Sequence, residues 1–198
     1  MIKDCHTHRE AADAVVNLPL FGRPESGLKY SAGIHPWDID RAVERVWTWL
    51  EEMAARPEVV AIGEAGFDKL RGGAAERQRE VFDRQAALAE RYGKPLIIHM
   101  VRSQQQIMEA IKRLRPTVPW IIHGFRGGSE QARQLMAAYE NLYLSFGPRF
   151  NAEALRVTPA ERIMTETDDD PAARIDEVRR AVAQIKGREA EGIGRVFG

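Results

Sequence analysis

The chain lacks the features that mark several protein classes. One cysteine among 198 residues excludes an internal disulfide and fits a reducing compartment. No apolar run approaches the length of a membrane span, and the N-terminus has no apolar signal core. Basic and acidic residues both number 29, so no net charge draws the chain to nucleic acid or to an anionic membrane. We expect a cytoplasmic protein with no membrane association, and no feature indicates an obligate protein partner.

The length and the order of segments predict one α/β domain over residues 1–198. From His35 onward, short apolar runs alternate with segments of helical spacing, which is typical of a parallel α/β fold. Helices are expected near 43–53, 75–92, 103–114, 129–139, 152–157 and 171–187, the first capped by Asp38 or Asp40. Because an eight-stranded α/β barrel usually needs at least roughly 200 residues, a barrel of this length should be trimmed.

The N-terminal stretch Asp4-Cys5-His6-Thr7-His8 carries the first candidate ligands. Residues 2–8 are typical of a short strand, whose successive side chains point to opposite faces. Asp4, His6 and His8 would then share one face, with Cys5 and Thr7 on the other. Two imidazoles on a rigid strand beside a carboxylate can bind a divalent metal. A pair of surface histidines near a terminus explains this motif alone equally well.

The remaining histidines fall in a regular pattern. His35, His99 and His123 each end an apolar run, and the acids Glu64 and Asp168 end similar runs. Chance would scatter such residues over helix surfaces and loops. Their position where buried strands meet loops is instead the layout of an active site at one end of a parallel barrel.

Taken in order, these motifs resemble the TatD-like metal-dependent hydrolases of the amidohydrolase superfamily. The resemblance implies a TIM-like (β/α) barrel, trimmed and distorted at its first strands, that hydrolyses with bound divalent metal, often on nucleic-acid phosphodiesters. It covers most of the chain and rests on the following segments: Asp4-Cys5-His6-Thr7-His8, Gly33-Ile34-His35-Pro36, Ile62-Gly63-Glu64-Ala65-Gly66-Phe67-Asp68, the helix with Gln78, Phe82 and Gln85, Pro95-Leu96-Ile97-Ile98-His99, His123-Gly124-Phe125, and Glu166-Thr167-Asp168.

The trimming is expected among the first strands. The links before and after the apolar run 14–20 are too short for a crossover helix. Parallel neighbours need about a dozen connecting residues or more, whereas antiparallel ones need only a turn. We therefore predict that residues 14–20 run antiparallel, in the middle of a short meander.

The resemblance also implies a site with two divalent ions. His6, His8 and Asp168 would hold one ion, His99 and His123 the second, and Glu64 would bridge them. Imidazole and carboxylate ligands suit Zn²⁺, Mn²⁺ or similar ions, Mg²⁺ included, better than Ca²⁺. Paired ions can lower the pKa of a water and offset developing charge. Asp168 is the natural acceptor of the water's proton, so Asp168 and Glu64 are the candidate catalytic residues.

The candidate substrate contacts lie just beyond the strand ends. His35 is one, since its counterpart in the family is not a metal ligand. Trp37 is another, with packing as the alternative. Arg102, Arg126 and Arg149 are placed where a phosphate would be held, although each could be an ordinary surface charge. Seven further residues are expected to have only structural roles. Trp47 and Trp49 should pack in the core, and Cys5 should be buried. The remaining four should be solvated: Asp169, Asp170, Lys69 and Arg71.

Departures from the family pattern concern the substrate rim. Met100-Val101-Arg102 replaces a Ser-Arg-Asp run, and Arg126 replaces a small polar residue. The proline after Asp168 also comes one residue late. The metal ligands are complete, so the reaction class is better defined than the substrate.

Three functions remain open from the sequence. The first is a phosphodiesterase, such as a deoxyribonuclease, acting on nucleic-acid ends. The second is an ester or amide hydrolase on a small or aminoacylated nucleotide. The third is a non-catalytic metal-binding scaffold, against which the complete ligand set argues.

Overall fold

The computed structural model describes residues 1–187 and 196–197, which form a parallel barrel of eight strands with helices outside it. The strands are β1 (Asp4–Thr7), β2 (Ala14–Leu18), β3 (Lys29–Ala32), β4 (Val59–Asp68), β5 (Leu96–Val101), β6 (Trp120–Ile122), β7 (Leu142–Phe146) and β8 (Ile163–Thr165). The helices are α1 (Glu44–Ala54), α2 (Ala75–Tyr92), α3 (Gln104–Leu114), α4 (Ser129–Ala138), α5 (Ala152–Val157) and α6 (Ile175–Lys186). Each strand pairs in parallel with the next one along the chain. The predicted TIM-like barrel is confirmed.

The barrel closes through main-chain contacts between β1 and the residues after β8. Asp168 N–H donates to the carbonyl of His6 over 3.0 Å, and His8 N–H donates to the carbonyl of Asp168 over 3.3 Å. Thr7 and Asp168 form a parallel bridge. Closure therefore sets Asp168 beside both N-terminal histidines.

The prediction that residues 14–20 run antiparallel was wrong. β2 pairs in parallel with both β1 and β3. Strands of four or five residues are only about 13–17 Å long. The connection at 8–13 can span about 20 Å when extended, so it returns to the barrel bottom without a helix. The expected trimming is confirmed, because no helix separates these strands in the described part of the chain.

The core has two layers. Inside the barrel, one small cluster takes a side chain from each of six strands: Cys5, Val15, Ala61, Ile97, Ile121 and Met164. A larger cluster lies between the strands and the outer helices. Trp47 and Trp49 are each only 7% exposed in this outer layer, so their predicted packing role is confirmed.

Most predicted helices match, with differences at their N-termini. Residues 75–92 form α2, and Gly93 follows in the left-handed conformation at φ 60°. Near 36–41 the chain forms a 3₁₀ helix, so α1 begins at Glu44 without a cap from Asp38 or Asp40. α6 begins at Ile175, later than expected. Across residues 1–187 and 196–197, the helices are all too short or too polar to cross a membrane.

One face of α2 holds the loops that carry the site. Gln78, Phe82 and Gln85 are buried on it, spaced four and three residues apart. The Gln85 amide accepts from Ile34 N–H over 2.7 Å and donates to Ile34 carbonyl over 3.0 Å. The Gln78 amide does the same for both backbone groups of Asp68. The two glutamine amides thus satisfy backbone hydrogen-bonding groups of Ile34, just after β3, and of Asp68, at the end of β4.

We expect Gln85→Leu to lower the free energy of unfolding by about 1–3 kcal/mol, the cost of leaving buried backbone groups without partners. Urea unfolding measures the difference. Gln105→Leu, at an exposed position of α3, is the matched control, because among the described residues the Gln105 amide hydrogen-bonds only to Glu109. A change within about 0.5 kcal/mol is expected there. Equal losses in both variants would contradict the role assigned to Gln85.

Candidate metal centre

The barrel mouth is organised around Glu64, which an irregularity in β4 directs inward. The register of β4 against β5 shifts between Ile62 and Ala65. Gly66 has φ 152°, and a Cβ there would lie 2.0 Å from the carbonyl oxygen of His99. A bulge of this kind re-aims a side chain next to a functional site. Glycine at position 66 therefore lets the two strands approach closely beside Glu64.

The two oxygens of the Glu64 carboxylate face different histidines. Oε2 lies 3.2 Å from His6 Nε2 and 3.8 Å from His8 Nε2. Oε1 lies 2.6 Å from His123 Nε2 and 3.0 Å from His99 Nδ1. Glu64 thus stands between two imidazole pairs, one from β1 and one from β5 and β6.

Asp168 joins the β1 side. Its Oδ1 lies 3.6 Å from His6 Nε2 and 3.7 Å from His8 Nε2. Its backbone has φ 54°, a left-handed conformation that costs energy and that Asp tolerates better than most residues. The sequence-predicted ligands are all brought together: His6, His8, Glu64, His99, His123 and Asp168.

The charges in this cluster depend strongly on one another. Burial opposes ionisation of Glu64, but the imidazoles of His123 and His6 outweigh it and hold its pKa well below the ordinary value. Burial lowers the pKa of His123, but Glu64 and Glu166 together raise it well above the usual range. For His8, burial and the neighbouring His6 lower the pKa. Glu64 is therefore an anion that attracts positive charge to the mouth.

The donor set fits divalent ions. In the described part of the chain, both ring nitrogens of His6 are buried and neither forms a well-aligned hydrogen bond, although Glu64 lies close to Nε2. Buried polar atoms rarely stay unpaired. Three candidate ligand groups meet here: His6, His8 and Glu64; His6, His123 and Asp168; and His35, Glu64 and His99. Imidazoles with few carboxylates favour ions such as Zn²⁺ or Mn²⁺.

Two carboxylates that the sequence argument did not single out stand behind the second imidazole pair. Asp68 Oδ2 lies 3.3 Å from His99 Nε2, and Glu166 Oε1 lies 3.5 Å from His123 Nδ1. Glu166 is fully buried, and the Gly124 N–H donates to it over 2.7 Å. Such partners fix the orientation of metal-binding imidazoles. In the sequence, these two carboxylates could have been found only from their positions: Asp68 directly follows Phe67, and Glu166 lies two residues before Asp168.

His35 differs from the other four histidines in its hydrogen bonding. Its Nδ1 accepts the Trp37 backbone N–H over 3.1 Å. A neutral ring that accepts at Nδ1 carries its proton on Nε2. That Nε2 lies 3.4 Å from Glu64 Oε1 and 3.3 Å from His99 Nδ1. His35 therefore presents a donor to the mouth, which supports its predicted role outside the ligand set although its position would also suit a ligand.

The prediction that Asp4 shares a strand face with His6 and His8 was wrong. The register of β1 against β2 shifts between Asp4 and Thr7, so strict alternation fails. Asp4 accepts from the Thr167 hydroxyl over 2.6 Å and from its N–H over 3.1 Å. Burial raises the pKa of Asp4 to about 6. Asp4 supports the barrel seam instead of the ligand cluster.

The rim contains the predicted substrate contacts. Arg102 and Arg126 line a cavity of 440 Å³ together with His99, His123 and Asp168. Arg126 and Arg149 line a smaller recess beside the loop at 166–170. All three guanidinium groups are exposed. Trp37 is 48% exposed, and its ring centroid lies 4.7 Å from that of His35.

An eight-stranded parallel barrel with histidines and carboxylates at the carboxyl ends of its strands defines the class of metal-binding α/β barrels. The TatD related DNase family matches residues 6–196, and the chain belongs to this family.

Curated relatives are similar over most of the chain. The uncharacterized metal-dependent hydrolase YabD of Bacillus subtilis is 34% identical over 145 residues, which are 69% of this chain and 56% of that protein. The 3'-5' ssDNA/RNA exonuclease TatD of Erwinia billingiae is 27% identical over 190 residues, 83% of this chain and 72% of that protein. The alignment with YabD thus spans little more than half of the relative's length.

Solved structures share the fold. YJJV, a TatD homolog from Escherichia coli, superposes with a TM-score of 0.73 at 21% identity, covering 91% of this chain and 82% of that one. An uncharacterized amidohydrolase of Saccharomyces cerevisiae also superposes with a TM-score of 0.73, at 13% identity, covering 90% of this chain and 84% of that one.

Proposed function

We propose that this protein is a metal-dependent hydrolase that cleaves phosphodiester bonds at the ends of single-stranded nucleic acid. One observation carries the proposal: the two oxygens of the buried Glu64 carboxylate face two separate imidazole pairs. The names of relatives add support, since YabD is called a metal-dependent hydrolase and the Erwinia protein a single-strand exonuclease.

Each side of Glu64 would hold one divalent ion. His6, His8 and Asp168 are the proposed ligands on the β1 side, with His99 and His123 on the other. Zn²⁺, Mn²⁺ and Mg²⁺ are the candidates, and the donor set favours the first two. Divalent ions bound here would supply Lewis acidity and offset the charge that develops on the phosphate.

The chain itself supplies a proton acceptor and a hydrogen-bond donor. Asp168 is 24% exposed at its side chain and lies on the open side of the cluster, where it can take a proton from the attacking water. His35 Nε2–H, fixed by the Trp37 backbone, can donate a hydrogen bond to a phosphate oxygen or the leaving group. Glu64 and Asp168 are the proposed catalytic residues.

The substrate assignment rests on the rim. Arg102, Arg126 and Arg149 can each form charge-assisted hydrogen bonds to phosphate oxygens. The mouth is a narrow, partly buried cluster at the end of a barrel, so a scissile phosphate must reach it from a single strand or a frayed end. Two or three arginines also imply few phosphate contacts in the complex.

The test is a substrate panel with purified, metal-loaded protein: single-stranded DNA and RNA, blunt duplex, and small phosphodiesters, esters and amides. We expect cleavage of single strands to exceed that of duplex. Binding should show a shallow salt dependence, because each neutralised phosphate of a single strand contributes about −0.7 to the slope of log K against log salt. Preferred cleavage of esters or amides would favour the second hydrolase class. Metal binding with no turnover on any substrate would indicate a scaffold.

The proposal includes the setting of the protein. We propose that residues 1–198 form one catalytic domain that acts in the cytoplasm on nucleic acid or a nucleotide-like substrate. The single thiol, Cys5, is fully buried and accords with a reducing compartment. All of the proposed ligands come from this chain, and we propose no obligate protein partner.

A further inference from the structure

Trp37 is an exposed aromatic side chain held in a fixed place beside the metal centre. It follows His35 at the end of β3 and is 48% exposed. Its indole Nε1–H donates to Asp68 Oδ2 over 2.7 Å. Its ring centroid lies 4.7 Å from that of His35 and 6.1 Å from that of His99. A large π surface is therefore presented next to the ligand cluster.

Arg71 lies over the same indole. Its guanidinium carbon is 3.6 Å from the Trp37 ring centroid, within the range of a close cation–π contact. Arg71 is itself exposed. The sequence-based expectation of a solvated loop charge at position 71 was therefore incomplete, since the side chain has a definite partner.

Asp68 assembles both members of this pair. Its Oδ2 accepts from Trp37, and its Oδ1 accepts the backbone N–H of Arg71 over 2.9 Å and that of Leu70 over 2.7 Å. Burial opposes ionisation of Asp68, but these hydrogen bonds outweigh it and lower its pKa. The same Oδ2 lies 3.3 Å from His99 Nε2. One carboxylate thus orients an imidazole of the metal centre and the aromatic pair together.

A second tryptophan–arginine pair in the chain shows what a packing contact looks like. Arg84 lies 4.0 Å from the Trp47 ring, and Trp47 is only 7% exposed between α1 and α2. Trp37 buries much less surface and so gains less from burial. Its fixed, exposed position instead suits the recognition of a ligand with a π surface.

We propose that the Trp37–Arg71 pair is the stacking surface for the base of the terminal nucleotide, which places the adjoining phosphate at the metal centre. This inference rests on the proposed function and adds a base-recognition role to it. Base–aromatic stacking accepts any base, so the pair would favour nucleic acid over small esters without reading sequence.

The experiment compares two single-stranded oligonucleotides that differ only in whether the terminal nucleotide carries a base or is abasic, prepared at either end. In the wild type, kcat/KM should be higher with the base. Trp37→Ala should lower kcat/KM for the base-bearing end by roughly 5- to 150-fold, the equivalent of one stacked base, and should affect the abasic end much less.

Further variants separate stacking from structure. Trp37→Phe keeps a ring but lacks the donor to Asp68, so it should retain part of the base preference. Arg71→Ala should weaken the preference as well. Arg84→Ala removes the equivalent contact from Trp47 and is the matched control, with base preference and activity unchanged. The proposal would be overturned if Trp37→Ala lowered kcat/KM equally on both substrates, or did not lower it on either.

Fluorescence-polarisation binding of the same oligonucleotides distinguishes failure of the inference from failure of the proposed function. Cleavage with no dependence on Trp37 would refute the stacking role alone. Base-dependent binding through Trp37 without cleavage would refute the nuclease function alone. Absence of both binding and cleavage would refute both.

Discussion

Replacing Asp168 by Asn is expected to lower kcat on a phosphodiester by about 10²- to 10⁴-fold, the usual contribution of a positioned general base, while the protein keeps most of its metal. Asparagine retains an oxygen that can bind an ion but has neither the negative charge nor the ability to take a proton. Turnover and elemental analysis of metal content, measured on the same preparations, test both halves of this expectation.

The geometry around Asp168 makes the substitution interpretable. The residue is positioned by its main chain, through the bonds that connect its N–H and carbonyl to His6 and His8 across the barrel seam. A change confined to the side chain leaves these bonds in place. The left-handed backbone at φ 54° also tolerates asparagine, which visits this region more readily than most residues.

The matched control is Asp169→Asn, the same change one residue later at an exposed carboxylate. It should leave turnover and metal content close to those of the wild type. If Asp168→Asn loses metal in proportion to activity, Asp168 acts mainly as a ligand. A fully active Asp168→Asn protein would exclude it as the proton acceptor.

The clustering of the candidate ligands could be predicted because barrel geometry translates chain order into spatial position. Each of His99, His123 and Glu64 lies at or just beyond an apolar run, and parallel strands bring such positions to one rim. The sequence pattern was therefore sufficient to gather them, without any knowledge of distances. Helix α2 could also be predicted from the sequence, since its apolar residues are regularly spaced and Gly93 ends it.

Local irregularities were not predictable in the same way. The direction of β2 depends on how far six residues can stretch, which the length of the link alone does not reveal. The prediction placed Asp4 on the wrong face because the register of β1 shifts. Alternation of side chains along a strand assumes that no such shift occurs. Both errors lie in the first strands, where short irregular links replace crossover helices.

Contacts between distant loops were the other missing part. Arg71 and Trp37 are 34 positions apart by their numbering, and the Asp68 carboxylate accepts a hydrogen bond from each of them. Nothing in the residue pattern around Arg71 distinguishes a stacked guanidinium from a solvated one. The role of Glu166 was equally hidden, because this buried carboxylate just after β8 has its partner, His123, far away in the sequence.

The largest effect is expected for Glu64→Gln, which should weaken the binding of both ions. An amide has one oxygen where the carboxylate has two, and it carries no charge, so at least one side of the site loses its ligand outright. We expect affinity to fall by more than the roughly 10- to 100-fold that follows loss of a residue supporting a ligand. Turnover should fall with it, to below that of Asp168→Asn.

Two comparison variants test whether Glu64 is shared between both ions. His123 lies against Glu64 Oε1, and Glu166 lies behind His123. His123→Ala and Glu166→Gln therefore act mainly on that side, and each should weaken mainly one of two ions and leave the other bound. Metal titration followed by elemental analysis reports the number of ions held by each protein. Two ions in the wild type, one in His123→Ala and neither held tightly in Glu64→Gln is the expected series. A single tightly bound ion in the fully active wild type, or an active Glu64→Gln protein, would refute a carboxylate shared between two ions.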